Sequence, residues 1–305
     1  MKTDYGSYMA PRRRFNKEAI AGVTFTLPAV IGFAALILIP MIASLFLSFT
    51  DYSAFGAPKF IGLSNYQKMF SSEDVFFLKS LKATAYYTLL SVPAQIVFAF
   101  VVALILNSNI KFRAFFRMVF YIPTIVPAVA SAVIWLWLLN PDFGLVNQML
   151  SKIGLPTSSW LFDEKSVIPT LALIGLWSTG GTMIIFLAGL QDIPRHYYEA
   201  IDVDGGNSFH KLFSITIPLM TPTIFFNTIM AIINSFQVFT QAYIMTEGGP
   251  NDASLFYVFY LYREAFKNAN MGYACALAWI LFIIIVVFST IILKTQNKWV
   301  YYEGE

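Results

Sequence analysis

The chain lacks most of what an enzyme of its length would display. It has one cysteine, Cys275, set in an apolar run, which excludes an internal disulfide and a cysteine-held metal cluster. Its two histidines, His196 and His210, lie 14 residues apart with no cysteine near them, and read as solvated loop residues. There is no Gly-x-x-x-x-Gly-Lys-Ser/Thr phosphate loop, no Gly-x-Ser-x-Gly elbow and no His-Glu-x-x-His zinc motif. Nothing in the sequence argues for an enzyme. Charge is scarce too. Only 12% of residues are Asp, Glu, Lys or Arg, against about 25% in a soluble domain, and a net charge of +3 is too small to attract nucleic acid. The long apolar runs contain no charged residue, Lys82 standing at the boundary of one. A charge at mid-bilayer costs about 2.5–3.5 kcal/mol and usually marks function. Its absence argues against an ion- or proton-coupled carrier and fits a neutral cargo.

What the chain has is apolar surface. Hydrophobic residues make up 57% of it and the mean hydropathy is +0.65. Runs above about 18 uncharged apolar residues read as membrane helices. Six occur, at 22–49, 83–106, 118–139, 168–190, 223–245 and 274–293. The expected fold is therefore an all-α integral membrane protein with one six-helix transmembrane domain over 22–294, an N-terminal tail over 1–21 and a C-terminal tail over 295–305. Arg12, Arg13 and Arg14 before the first run look like an export signal. The adjoining run is too long for a signal core, so it is read as an uncleaved first helix. Lysine and arginine set the orientation. Lys2, Arg12, Arg13, Arg14 and Lys17 precede the first span, and Lys111, Arg113 and Arg117 fill the short loop before the third. These are placed inside, which puts both termini and the 191–222 loop in the cytoplasm. Trp135 and Trp137 fit an interfacial belt.

Two spans carry polar groups. In the fifth, Asn227, Asn234 and Gln241 are spaced by seven, nearly two helical turns, and fall along one stripe flanked by Ser235 and Gln237. Amides are costly against lipid, so the stripe faces protein or water. It is either helix–helix glue or the wall of a path for a hydroxyl-rich solute, since amides both donate and accept. In the fourth span, Trp177-Ser178-Thr179-Gly180-Gly181-Thr182 offers glycines for close packing or an unwound half-turn. Trp177 there either stacks on a sugar ring or packs.

The loop at 191–222 has more order than a connector needs. Asp192-Ile193-Pro194 reads as a capped helix start and Gly205-Gly206 as its stop. Arg195, Glu199 and Asp202 fall on one face of that helix, and Tyr197, Ala200 and Ile201 on another. Asn207-Ser208 caps a second, short helix with an apolar stripe of Phe209, Leu212, Phe213 and Ile217, and Pro218 and Pro222 set the entry to the fifth span. The loop either lies on the membrane surface or is presented to a cytoplasmic protein.

The segment EAIDVDGGNSFHKLFSITIPLMTP resembles the EAA loop of binding-protein-dependent ABC importer permeases. Glu199, Ala200, Asp204, Gly205, Ile215, Pro218 and Pro222 fall in register with that pattern. Ile201 and Gly206 depart from it, each replacing a customary alanine. FIGLSNYQKMF at 60–70, YIPTIVPAVASAVIWLWLLNPDFG at 121–144, LAGLQDIP at 187–194 and TEGGPN at 246–251 look like sugar-importer permeases. The Gly-Gly-Pro resembles the F-type subunit of maltose permeases. The resemblance implies the ABC type I importer permease fold, with a cytoplasmic coupling helix on which Arg195, Tyr198, Glu199, Ala200, Asp204 and Gly205 face an ATPase. It implies a second homologous permease, two ATP-binding-cassette subunits that hold ATP and Mg, and an extracytoplasmic binding protein, in a bacterial or archaeal cytoplasmic membrane among its lipids, with no cofactor in this chain. It places a carbohydrate path, for an oligosaccharide, at Trp177, Ser178, Asn234 and Ser235. Gln237 and Gln241 are added from helical geometry. The alternative from another class is a stand-alone sugar carrier or channel.

Overall fold

In the computed structural model the described residues are 17–301 except 54, 72 and 73, so the arginines before the first span lie outside them. A first long helix runs as α1 (Lys17–Phe33), a π turn at Ala34–Leu38 and α2 (Ile39–Leu47). A two-stranded ribbon, β1 (Thr50–Asp51) and β2 (Lys59–Phe60), pairs antiparallel with Thr50 opposite Phe60. Then come α3 (Ser64–Phe70), α4 (Val75–Asn107), α5 (Arg113–Ile125), α6 (Ala128–Leu138), α7 (Leu145–Lys152), α8 (Val167–Leu176) and α9 (Gly180–Asp192). The chain ends with α10 (Arg195–Val203), α11 (Ser208–Lys211), α12 (Ile217–Phe236), α13 (Tyr257–Tyr262) and α14 (Met271–Thr295).

Among the described residues four unbroken helices are long and apolar enough to cross a membrane: Ala19–Leu47, Val75–Asn107, Ser208–Phe236 and Met271–Lys298. Two bent pairs, α5 with α6 at 102° and α8 with α9 at 49°, are long and apolar enough only when each pair is taken together, which makes six crossings if each pair is one span. The second span starts well before the expected residue 83. Asp74 caps it, its carboxylate accepting from the Phe76 and Phe77 amides at 3.0 Å, and Lys79 on the second turn donates to Asp252 Oδ2 and Asn251 O, both at 3.2 Å. At 1.5 Å per residue this 33-residue helix is about 50 Å long, against a hydrocarbon core of about 30 Å.

The third and fourth spans are not the single helices expected. Pro127 has no amide hydrogen and disfavours helical torsions in the residue before it, and Val126 is extended (φ −67°, ψ 127°). The fourth span breaks at Trp177–Thr179. Beyond that break Gly180 lets α9 press on α5: a Cβ there would stand 2.4 Å from the Phe120 carbonyl oxygen. The fifth span departs in the opposite sense. The short helix after the loop and the span itself form one 29-residue helix, Ser208–Phe236. A π turn at Leu212–Thr216 takes up the geometry ahead of Pro218, so neither proline breaks the run. This helix stops at Phe236, and Gln237–Phe239 is irregular before a second π turn at Ala242–Thr246.

Helix α4 is the central post, packed against α8, α9 and α12. Two buried apolar clusters flank it. One, near its start, includes Phe77, Tyr87, Leu171, Phe256 and Tyr257. The other, near its end, includes Ala99, Ala103, Leu106, Phe186, Leu190 and Met220. The first cluster is locked by polar bonds. The buried Asp74 carboxylate accepts from the hydroxyls of Tyr260 (2.7 Å) and Tyr273. Burial, then hydrogen bonding to Asp74, pushes the Tyr260 hydroxyl far above its ordinary pKa. Buried Glu264 accepts from Asn268 Nδ2 at 2.7 Å and Asn270 Nδ2 at 3.1 Å. By contrast, the most apolar window of the first long helix buries nothing within this chain.

Candidate functional site

Two places concentrate the polar groups of the loop and the spans: the loop between α9 and α12, and a cleft where three spans break. In the loop, Asp192 is not a cap. Pro194 holds Ile193 extended (φ −68°, ψ 120°), so α9 runs through Asp192 and α10 starts after Pro194 with no side-chain cap. The stop at Gly205 is as the sequence indicates, and its geometry is a Schellman turn. Gly205 has φ +74°, its amide donates to Asp202 O at 3.2 Å, and the Gly206 amide donates to Ile201 O at 2.8 Å. Gly206 has a second, steric reason. A Cβ on it would lie 2.3 Å from Ile201 Cγ2. The two departures from the EAA pattern are thus one paired change, a branched residue at 201 and an empty position at 206.

Helix α10 is bolted to the start of the fifth span. Lys211 Nζ lies 2.5 Å from Asp202 Oδ1. The Tyr198 hydroxyl is 3.1 Å from Thr216 Oγ1, which in turn donates to Lys211 O at 3.1 Å. Asn207 and His210 form a reciprocal capping box at the start of α11. Tyr197, Tyr198 and Ile201 turn inward and are half-buried, while Arg195, Glu199 and Asp204 are exposed. Ala200, grouped by spacing with Tyr197 and Ile201 and expected from the resemblance to face the ATPase, is exposed as well: the half-buried face follows the 3–4 spacing of 197, 198 and 201 and leaves 200 outside it. Val203 is 88% and Phe209 71% exposed, so the loop presents apolar side chains beside its carboxylates.

The cleft lies between α4 and the irregular segments of the third and fifth spans. A space of about 500 Å³ is lined by Tyr87, Gln95, Ala128, Asn234, Ser235, Gln237, Phe239 and Gln241, among others. An adjoining one of about 210 Å³ is lined by Thr124, Val126, Ala128, Ser131, Ser178, Thr240 and Gln241. The breaks at Val126–Pro127, Trp177–Thr179 and Gln237–Phe239 all border this pair of spaces. Non-helical backbone at membrane depth is tolerated only where protein buries it or water wets it, and here three interruptions border two adjoining spaces.

The six path candidates divide. Asn234 and Gln237 are exposed to the larger space. Ser235 borders it but is buried, its hydroxyl donating to Ile232 O at 2.9 Å. Gln241 stands between the two spaces and accepts from the Tyr87 hydroxyl at 3.4 Å. It is not on the helix of Asn234, which ends at Phe236; the irregular turn brings it to the same wall. Ser178 lines only the smaller space. Trp177 turns away, edge-on to Trp135 with ring centroids 5.7 Å apart, and lines a separate gap with Phe98, Phe120 and Met183. Asn227, the first member of the expected stripe, is buried and donates to Thr223 O at 2.9 Å; it is packing. Tyr87 and Gln95 of α4 were not among the candidates read from the sequence, although Gln95 inside an apolar run was the available signal. Among the described residues no group of three or more His, Cys, Asp or Glu is placed to hold a metal ion.

A polytopic helical membrane protein whose broken spans border a cleft of this size, with a glycine-turned helix pair in the loop between α9 and α12, has the form of a transport permease. Residues 95–298 match the family described as binding-protein-dependent transport system inner membrane component, and the chain belongs to that family. It is 43% identical over 301 residues to the "Probable ABC transporter permease protein YesP" of Bacillus subtilis, covering 97% of each chain. It is 31% identical over 298 residues to the arabinooligosaccharides transport system permease protein AraP of the same organism, covering 96% of this chain and 93% of that one. It is 30% identical to the trehalose/maltose transport system permease protein MalF of Thermococcus litoralis, covering 91% and 94%. In fold it is similar to a chain of a bacterial alginate ABC transporter crystallised with its alginate pentasaccharide-bound periplasmic protein, with a TM-score of 0.82 over 92% of this chain and 96% of that one, at 24% identity. The protein is the multi-pass membrane permease of a binding-protein-dependent ABC importer, not the subunit that hydrolyses ATP. The reading as a carrier working alone is set aside by this membership.

Proposed function

We propose that the importer carries a carbohydrate, an oligosaccharide or a related glycoside, and that the cleft bordered by Asn234, Gln237 and Gln241 is this chain's half of the path. The observation that carries the reading is the meeting of three span breaks around uncharged amides and the Phe239 ring. Amides donate and accept toward hydroxyls, and an aromatic face suits the apolar side of a sugar ring. The names of the relatives, arabinooligosaccharides for one and trehalose or maltose for another, agree with that chemistry. In this proposal the chain sits in a bacterial or archaeal cytoplasmic membrane with both termini inside. It pairs with a second homologous permease and two ATPase subunits that hold ATP and Mg, and takes cargo from an extracytoplasmic binding protein. The α10 helix, through Arg195, Tyr198, Glu199, Ala200, Asp204 and Gly205, docks on the ATPase. The test is uptake by the reconstituted complex of labelled arabinotriose, maltose and trehalose against labelled histidine and glutamine. Saturable, ATP-dependent uptake of a sugar is expected; uptake of an amino acid with no sugar uptake would defeat the reading.

A further inference from the structure

The second span brings its own amide to the cleft. Tyr87, Ser91 and Gln95 succeed one another at four-residue intervals on α4 and share one face. Tyr87 and Gln95 border the larger space opposite Asn234, Gln237 and Gln241. The Tyr87 hydroxyl is engaged with Gln241. The Gln95 amide, half-buried, has no hydrogen-bond partner among the described residues. Its place is kept open by Gly175 on α8: a Cβ there would stand 3.0 Å from Gln95 Nε2 and 3.7 Å from the Tyr87 hydroxyl. An unpaired amide at membrane depth is costly unless water or cargo satisfies it, and the space that Gln95 borders is large enough to hold either.

We propose that Gln95 forms a third wall of the translocation path, where its amide faces the water of the cleft and meets the hydroxyls of the passing carbohydrate. The inference rests on the cleft being the path. Cys275 is the only cysteine, so Cys275→Ser gives a background in which single cysteines report cleanly. Gln95→Cys, Asn234→Cys and Val97→Cys are placed in it one at a time. Val97 lies at nearly the depth of Gln95, off that face, and is 61% exposed on the helix surface. The assembled transporter in proteoliposomes is treated on both sides with a membrane-impermeant cationic methanethiosulfonate. Cysteine at 95 is expected to react at least about 10-fold faster than at 97, because the reagent and the thiolate it attacks need water. Fast reaction at 234 with reaction at 95 no faster than at 97 overturns the inference and leaves the path reading standing. Slow reaction at both 95 and 234 overturns both. Fast reaction at 95 with slow reaction at 234 upholds Gln95 and removes Asn234. Co-purification with the ATPase subunit checks assembly of each variant. Should Gln95→Cys not assemble, Gln95→Asn and Gln95→Leu are compared by uptake: uptake kept by Asn and lost with Leu upholds the inference, and equal uptake in the two overturns it.

Discussion

The steric pairing of Ile201 with Gly206 makes a sharp prediction. In Gly206→Ala the new Cβ would sit 2.3 Å from Ile201 Cγ2 and 3.2 Å from Ile201 O, where carbon pairs settle at about 3.5–4.0 Å. The overlap exceeds 1 Å by that comparison, and the methyl cannot swing away cheaply, because a β-branched side chain inside a helix has essentially one χ1 rotamer. Something in the turn has to shift. The vulnerable bonds are the Gly206 amide to Ile201 O and the Gly205 amide to Asp202 O, which hold the Schellman turn. Overpacking costs about 1–3 kcal/mol, so a middle value lowers the closed population of the turn about 30-fold. In Ile201→Ala/Gly206→Ala the overlap is removed, and the double variant restores alanine at both customary positions. The expected coupling between the two substitutions is about 1–2 kcal/mol in the rescuing direction. The assay is thermal stability of the purified permease together with recovery of the ATPase subunit on affinity capture. Gly206→Ala should lose recovery several-fold, and the double variant should regain most of it. Wild-type recovery and stability in Gly206→Ala alone, or a double variant no better than the single, would refute the steric argument.

Other predictions concern the same two sites. Glu199→Lys changes an exposed residue, where substitutions usually move stability by no more than about 0.5 kcal/mol; ATPase recovery and uptake should fall while the melting temperature holds, and unchanged recovery removes Glu199 from the docking surface. Asn234→Leu should impair uptake with assembly intact, and unaltered transport kinetics would reduce that amide to packing. Thr216→Val deletes the bonds to Tyr198 and Lys211 O at a cost of about 0.5–1.5 kcal/mol each; cargo moved per ATP should drop while binding-protein-stimulated hydrolysis persists, and an unaltered ratio excludes a transmitting role. Thr221→Val removes the acceptor of the Tyr301 amide, 2.8 Å away, and should raise protease cleavage near the C-terminus; equal cleavage rates would show that bond to be idle.

Fold class and the loop's position were readable because they depend on composition and local chemistry. Uncharged runs of sufficient length have one stable setting, and Asn207 before Ser208 or Gly205 after Val203 act through their own backbones. The breaks were harder to place because their causes are partly tertiary. Pro127 interrupts its span by 102°, whereas Pro93 sits inside an uninterrupted α4 and Pro218 and Pro222 lie within an uninterrupted helix. A proline breaks a membrane helix only where no π turn or neighbour absorbs it. The amide stripe was half right for a related reason. Periodicity assumes a continuous helix, so it carried Gln241 past Phe236, where the helix ends. Gln241 reached the cleft anyway, through an irregular turn that spacing cannot encode. Trp177 looked like a sugar platform until Trp135, forty-two residues earlier, proved to be its partner.

The corrections to the fifth span change the mechanical reading of the whole chain. As two helices with proline joints, the loop and the cleft would be connected by something compliant. As one helix from Ser208 to Phe236 they are connected by a rod of about 43 Å, whose far end carries Asn234. The glycine turn at 205–206 could still isolate α10 from that rod. It is bridged on both sides: Lys211 to Asp202, and Tyr198 to Thr216. The ion pair is largely exposed, so it contributes little to stability, but together with the hydroxyl bond it fixes the orientation of α10 against the rod. Compliance is then left at two places, the π turn at Leu212–Thr216 and the irregular Gln237–Phe239 segment. A partner that displaces α10 would move the rod, and the Asn234 wall of the cleft would shift against Gln237 and Gln241 across the second of these. Gln95 stands on α4, which packs against α8 and α9 as well as against this rod. The amides of the cleft are thus divided between the rod and the central post, so a displacement of one helix along the other would change the distance between them.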